Sequence, residues 1–138
     1  MISTFDDLLQ AARQQAAPQR LLMLFMGAEL PQDATEAQKL DFSAGHGGAL
    51  IPLMCVDKHP DELNSFAHLC GEADGIHSTW QLVLAGALSG QDGQPPDERA
   101  VDAVFERWIA DIRSGQVQNV LSQTLTFTRN GSAVQLRT

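Results

Sequence analysis

Three stretches of this chain are apolar at almost every position, and each is short enough to be a strand: residues 21–28 (LLMLFMGA), 49–56 (ALIPLMCV) and 80–87 (WQLVLAGA). A strand with one wet face alternates apolar and polar side chains, so an unbroken apolar run predicts a strand covered on both faces, the pattern of a parallel sheet between helices. Helical spacing supplies the cover. Phe5, Leu8, Leu9 and Ala12 form one stripe, with Ser3 or Thr4 as cap and Asp6 and Asp7 where the helix dipole favours negative charge. Pro18 marks its end. Thr35 opens a second, short helix reaching about Ala44, with Ala37, Leu40 and Ala44 inward. Pro60 suits the first position of a third, whose stripe reads Leu63, Phe66, Ala67 and Cys70 and which stops at Gly71 or Gly75. Val101, Val104, Phe105, Trp108 and Ile112 keep strict helical spacing in a fourth, closed by Gly115.

Pro52 lies inside the second apolar run. It cannot donate to a ladder, which places that strand at an edge or at a bulge. Near the C-terminus, Asn130-Gly131 between residues 120–129 and 133–137 is a hairpin signal. A two-residue loop there pairs Phe127 with Val134 and Leu125 with Leu136, all four on one face. The expected fold is therefore α/β: a single domain, residues 1–138, with a mixed sheet of about five strands, four helices and a C-terminal β-hairpin. The order helix-strand-helix-strand occurs twice, which suggests an internal duplication with halves 3–57 and 60–129. In that alignment Phe5, Leu8, Leu9 and Ala12 fall on Leu63, Phe66, Ala67 and Cys70, and Leu24 falls on Val83.

A chain of 138 residues with a hydrophobic fraction of 43% can bury an ordinary core, so folding needs neither disulfide nor metal. Nine basic residues against seventeen acidic ones leave a net charge of −8, which opposes phosphate backbones and anionic lipid. Nucleic acid and membrane are thus not expected partners. The acidic start, without an apolar signal-peptide core, and the shortness of run 21–28 read as a cytoplasmic chain. Cys55 and Cys70 sit on separate elements and are expected to be reduced thiols.

A catalytic reading rests on Cys55, followed by Asp57, Lys58 and His59. On a strand, Cys55 shares a face with Asp57 and His59, and a thiolate beside an imidazole is an activated nucleophile. The adjacent carboxylate works against this by raising the thiol pKa, and a cysteine in an apolar strand more commonly acts as a small buried hydrophobe. His68, Cys70 and His77 do not follow a zinc spacing and lack a fourth ligand, so no metal is expected. His46 stands in the glycine turn 45–48, which precedes a strand rather than running from strand into helix and so does not suit a phosphate loop. No cofactor is expected. Glu29, Asp33 and Asp92 lie on strand-to-helix connections, where an open parallel sheet binds ligands; they suit a cation, an amine or a basic protein surface. Trp80 plugs a sheet end.

The segments FDDLLQAARQQ, LLMLFMGAELP, GGALIPLMCVDKHPDEL and LAGALSG resemble a family of small uncharacterised bacterial proteins, sometimes labelled "ribonucleotide reductase subunit alpha". The resemblance covers most of the chain. The residues do not support the label, because that catalytic subunit is a far longer chain with a large barrel, several redox cysteines and nucleotide sites. The resemblance implies no site residues. Taken together, the residues point to a non-enzymatic protein-binding or regulatory domain, self-associating or binding another protein through an apolar edge near Pro52. The alternative is a small thiol-dependent enzyme using Cys55.

Overall fold

The computed structural model describes residues 2–29, 33–43 and 49–135. Its elements run α1 (Phe5–Arg13), β1 (Gln19–Glu29), α2 (Glu36–Ser43), β2 (Ala49–Lys58), α3 (Phe66–Ile76), β3 (Leu82–Ser89), α4 (Glu98–Arg113), α5 (Val117–Leu121), β4 (Leu125–Thr128) and β5 (Ala133–Val134), with a single 3-10 turn at Pro60–Glu62. The α/β class and the sheet of five strands are as expected. The order is β2-β1-β3-β4-β5, and every neighbouring pair is antiparallel.

The parallel pattern is therefore corrected, and the reason lies in β1. Leu21, Met23 and Phe25 face one side, in a core with Phe5, Leu8 and Leu9 of α1 and Phe66 and Leu69 of α3. Leu22, Leu24 and Met26 face the other, against Val101, Phe105 and Trp108 of α4 and Val120 of α5. An unbroken apolar run reports two covered faces and is silent on strand direction. Full burial of each such side chain contributes about 1.5–3 kcal/mol, so β1 anchors both cores.

The caps follow local chemistry. Thr4 accepts from the Asp7 N–H at 3.2 Å, while the Asp7 carboxylate accepts from Ser3 and Thr4 N–H groups at 3.0 and 3.2 Å. The α1 stripe is buried as its spacing requires. In α4, Val101, Phe105 and Trp108 are buried, and Gly115 follows at φ 82°. Helix α3 differs from expectation. Pro60 opens only the 3-10 turn, the chain extends through Leu63, and Ser65 caps a helix that starts at Phe66. The restart moves the stripe to Phe66, Leu69 and Ala73, and leaves Ala67 exposed. Helix α2 forms behind a Thr35–Gln38 box, but Ala37 and Leu40 are exposed rather than inward, Leu40 at 71%. Ala44 lies outside the described residues, as do His46 and the rest of the glycine turn.

Strand β2 is an edge, and its register with β1 shifts between Phe25 and Met26, where Leu53 is the extra residue of a bulge. Both readings of Pro52 hold. The Met26 carbonyl accepts the Gln81 N–H on the β3 side, so Pro52, its partner in β2, turns its backbone away from the ladder and its missing donor costs no bond. Leu53 packs on Gly27, where an added Cβ would come within 2.7 Å of Leu53 Cδ1.

The C-terminal hairpin completes the sheet through β4 on β3. Its register is one residue from the expected one. Phe127 pairs with Ala133 and Thr126 with Val134, because Thr128 N–H bonds Ser132 and Gly131 adopts φ 84° in a three-residue loop. Phe127 is buried among the α1–α3 core, while Val134 lies on the opposite face and is 39% exposed. Leu136 lies outside the described residues. Val120, expected in this strand, belongs to α5.

The two halves place α1 and α3 on the same face and β1 beside β3. The residue alignment read from the sequence does not survive this geometry: Leu24 and Val83 face opposite sides of the sheet, and exposed Ala67 stands against buried Leu9.

Candidate functional site

The Cys55 constellation does not assemble as a nucleophile site. Cys55 pairs with Leu24 and Asp57 with Leu22, so the two share the α4 face, as alternation requires. The Asp57 carboxylate is engaged by Arg20, whose Nε donates to it at 2.7 Å and whose Nη1 donates to the Pro96 carbonyl at 3.3 Å. His59 lies beyond the last residue of β2. Its backbone N–H donates to Glu62 at 2.8 Å, and the residue lines a cleft with Arg13, Pro18 and Pro60. Among the described residues no hydrogen bond joins Cys55 to either partner. The Cys55 side chain reaches solvent, but partial enclosure of the sulfur pushes the thiol above its ordinary pKa. Both cysteines are free. Cys70 is half-buried on α3; burial raises its pKa, the Asp74 carboxylate adds to this, and Arg129 opposes it.

The other candidates are dispersed. His68 Nδ1 accepts the Asn64 N–H at 3.3 Å and its Nε2 lies 3.7 Å from Glu72, while His77 faces the Thr79 hydroxyl at 3.0 Å. Among the described residues no cluster of three His, Cys, Asp or Glu side chains could hold a metal. Glu29 ends β1 and pairs with Ala49, whereas Asp92, at φ 53°, follows the end of β3 beside the start of β1. Antiparallel pairing thus sends Glu29 and Asp33 to one end of the sheet and Asp92 to the other. Trp80 is buried against Phe25 and Phe66, and its indole N–H donates to Asp74 at 2.9 Å.

Two concave surfaces escaped the sequence. One, of about 520 Å³, lies between α5 and the β4–β5 hairpin, with Leu121, Leu125, Thr126 and Val134 in its wall. Ser122 and Thr124 donate their hydroxyls to the Asn119 and Val120 carbonyls, so neither donor is turned toward a ligand. The other, of about 490 Å³, lies between edge strand β2 and α3. Val56, Leu69 and Ala73 contribute its apolar wall, Gly71 and Gly75 leave it open, and Ile76 stands beside it at 73% exposure. A Cβ built on either glycine would meet nothing within 4 Å. Lys58 bridges to Glu72 across the rim at 2.9 Å, a bond that holds the Glu72 carboxyl below its usual range. Two glycines one helical turn apart were the visible signal for this groove, but their reading as helix stops concealed it.

No helix among the described residues is long and apolar enough to cross a membrane. Compared with protein-family models, with curated proteins and with solved structures, the chain matches none.

Proposed function

We propose that this chain is a protein-binding or regulatory domain, engaging another protein or a second copy through the apolar side of β2 near Pro52. The observation that carries this reading is the edge position of β2 together with its incomplete cover. Leu50, opposite Ala28 on the α4 face, is 38% exposed, residues 51–54 are only half-buried, and on the other face Val56 and Lys58 border a groove against α3. Exposed apolar side chains on an edge strand mark candidate interaction sites. A thiol-dependent enzyme using Cys55 has less support, since its carboxylate is taken by Arg20 and its thiol is shifted toward the neutral form. The same reading takes the setting as cytoplasmic and leaves nucleic acid and anionic membrane aside on the net charge of −8.

Nile red fluorescence and sedimentation equilibrium test it. The dye is expected to brighten on the wild type and much less on Leu50→Asp or Ile76→Asp. Equal signals from all three proteins, with a monomer at high micromolar concentration, overturn the reading.

A further inference from the structure

We infer that the chain binds a small organic anion, a carboxylate on a compact aromatic or branched apolar body, in a cavity between β3 and α4. This goes beyond the binding reading above, since no residue of β2 lines that cavity.

A third concavity, of about 130 Å³, lies on the α4 face of the sheet. It opens where β3 outruns β4: the last pair is Ala85 with Leu125, and β3 continues through Gly86 and Leu88 with no strand on that side. Buried Leu22 and Trp108 line it, at 1% and 3% exposure, together with half-buried Val104 and Leu88. Gly86 adds no side chain there, and a Cβ built on it would lie 3.3 Å from Trp108 Cη2. An apolar cavity of about 150 Å³ takes a benzene ring. This one therefore has room for a single ring or a branched chain, and not for a nucleotide or a peptide.

The polar side chains in its wall select the charge of that ligand. They are Arg107 and Gln123. Arg107 is exposed, and among the described residues nothing pairs with its guanidinium. Glu98, Asp102, Glu106 and Asp111 share α4 with it, but none of them lines the cavity. Gln123 is oriented by Trp108. The indole N–H can only donate, and it gives its hydrogen to Gln123 Oε1 at 3.1 Å. The amide NH₂ is then the end left without a partner among the described residues. Both polar side chains thus offer free donors, and the one side-chain acceptor is already engaged. A carboxylate accepts from a guanidinium through two oxygens, which a neutral ring cannot do. A bare inorganic anion would answer Arg107 and leave the apolar wall without cover.

Benzoate titrated into the isotope-labelled full chain tests the inference through the indole N–H signals of the two tryptophans. Trp80 donates to Asp74 in the other core, so its signal is the internal control. The Trp108 signal is expected to move and the Trp80 signal to stay, with a dissociation constant on the order of 1 mM. Benzylamine has the same size and the charge that a net −8 chain favours, and acetate has the carboxylate without the ring. Each is expected to bind about tenfold more weakly than benzoate or worse. Arg107→Gln is expected to lower benzoate affinity about tenfold. Arg99→Gln and Arg113→Gln, which remove exposed charges of the same helix outside the cavity, are expected to leave it unchanged. All three positions are exposed, so folding is not at stake. A Trp108 signal that stays still overturns the inference. So does benzylamine or acetate binding as well as benzoate, or a loss in Arg99→Gln equal to that in Arg107→Gln. Each of these outcomes leaves the Nile red test of the β2 edge untouched.

Discussion

The guanidinium of Arg129 lies over the indole of Trp80, with Cζ 4.2 Å from the ring centroid. The same group donates to the Trp80 carbonyl at 2.7 Å and to both Asp74 oxygens at 2.9 and 3.1 Å. One side chain on the hairpin loop thus ties β4 and β5 to the end of α3 and to the residue that enters β3. Arg129→Ala is expected to lower unfolding stability by about 2 kcal/mol, from a cation–π contact and a forked ion pair that is only partly screened. Urea denaturation checks it, and an unchanged midpoint would show the tie to be ornamental.

Gly71 and Gly75 differ physically from Gly86. Gly71 and Gly75 face open space inside a helix, so Gly71→Ala and Gly75→Ala are each expected to stabilise by about 0.5–1 kcal/mol. Gly86 is different: its added Cβ would lie 3.1 Å from the Gln123 carbonyl oxygen and 3.3 Å from Trp108. Gly86→Ala is expected to destabilise by about 1–3 kcal/mol through overpacking. Thermal melts of the three variants should move in opposite directions; a shared direction contradicts the assignment.

Asp7 carries a pH dependence. The Ser3 and Thr4 backbone N–H groups hold its carboxyl below the ordinary value of 3.8. A carboxyl depressed in the folded state stabilises above its unfolded pKa, and that contribution is lost as pH falls through the folded pKa. Asp7→Asn should therefore melt below wild type at neutral pH, with the gap closing in acid. A gap that is constant with pH would assign the loss to helix capping without charge.

Both thiols are expected to be reduced and sluggish. Burial raises the pKa of Cys55 and Cys70 above 9.0, which lowers the thiolate fraction at neutral pH. Iodoacetamide should label native Cys55 more slowly than a free cysteine at pH 7, with the rate still climbing past pH 9. Fast labelling at neutral pH would favour the thiol-enzyme reading.

Local features were legible from residue order. The stripes of α1 and α4, the Thr4 and Thr35 caps, the Gly115 stop, the hairpin and the edge or bulge at Pro52 each depend on residues a few positions apart. Even so, Pro60 and the apolar spacing misplaced the start of α3, because Ser65 competes as a cap and only packing decides between them. The hairpin register turned on whether Gly131 closes a loop of two or three residues, and Asn-Gly admits both.

Residue order determined that this chain makes doubly covered strands with amphipathic helices to cover them, which holds for β1 and β3, while the equally apolar β2 ends at the sheet edge with incomplete cover. Tertiary structure decided the rest. It made every strand pair antiparallel, which carried Glu29 and Asp92 to opposite ends of the sheet. It left Leu40 exposed despite its spacing, gave Asp57 to Arg20, and opened a groove between α3 and β2. Each of these depends on contacts between residues distant in the chain, and a spacing pattern carries no information about which distant element arrives.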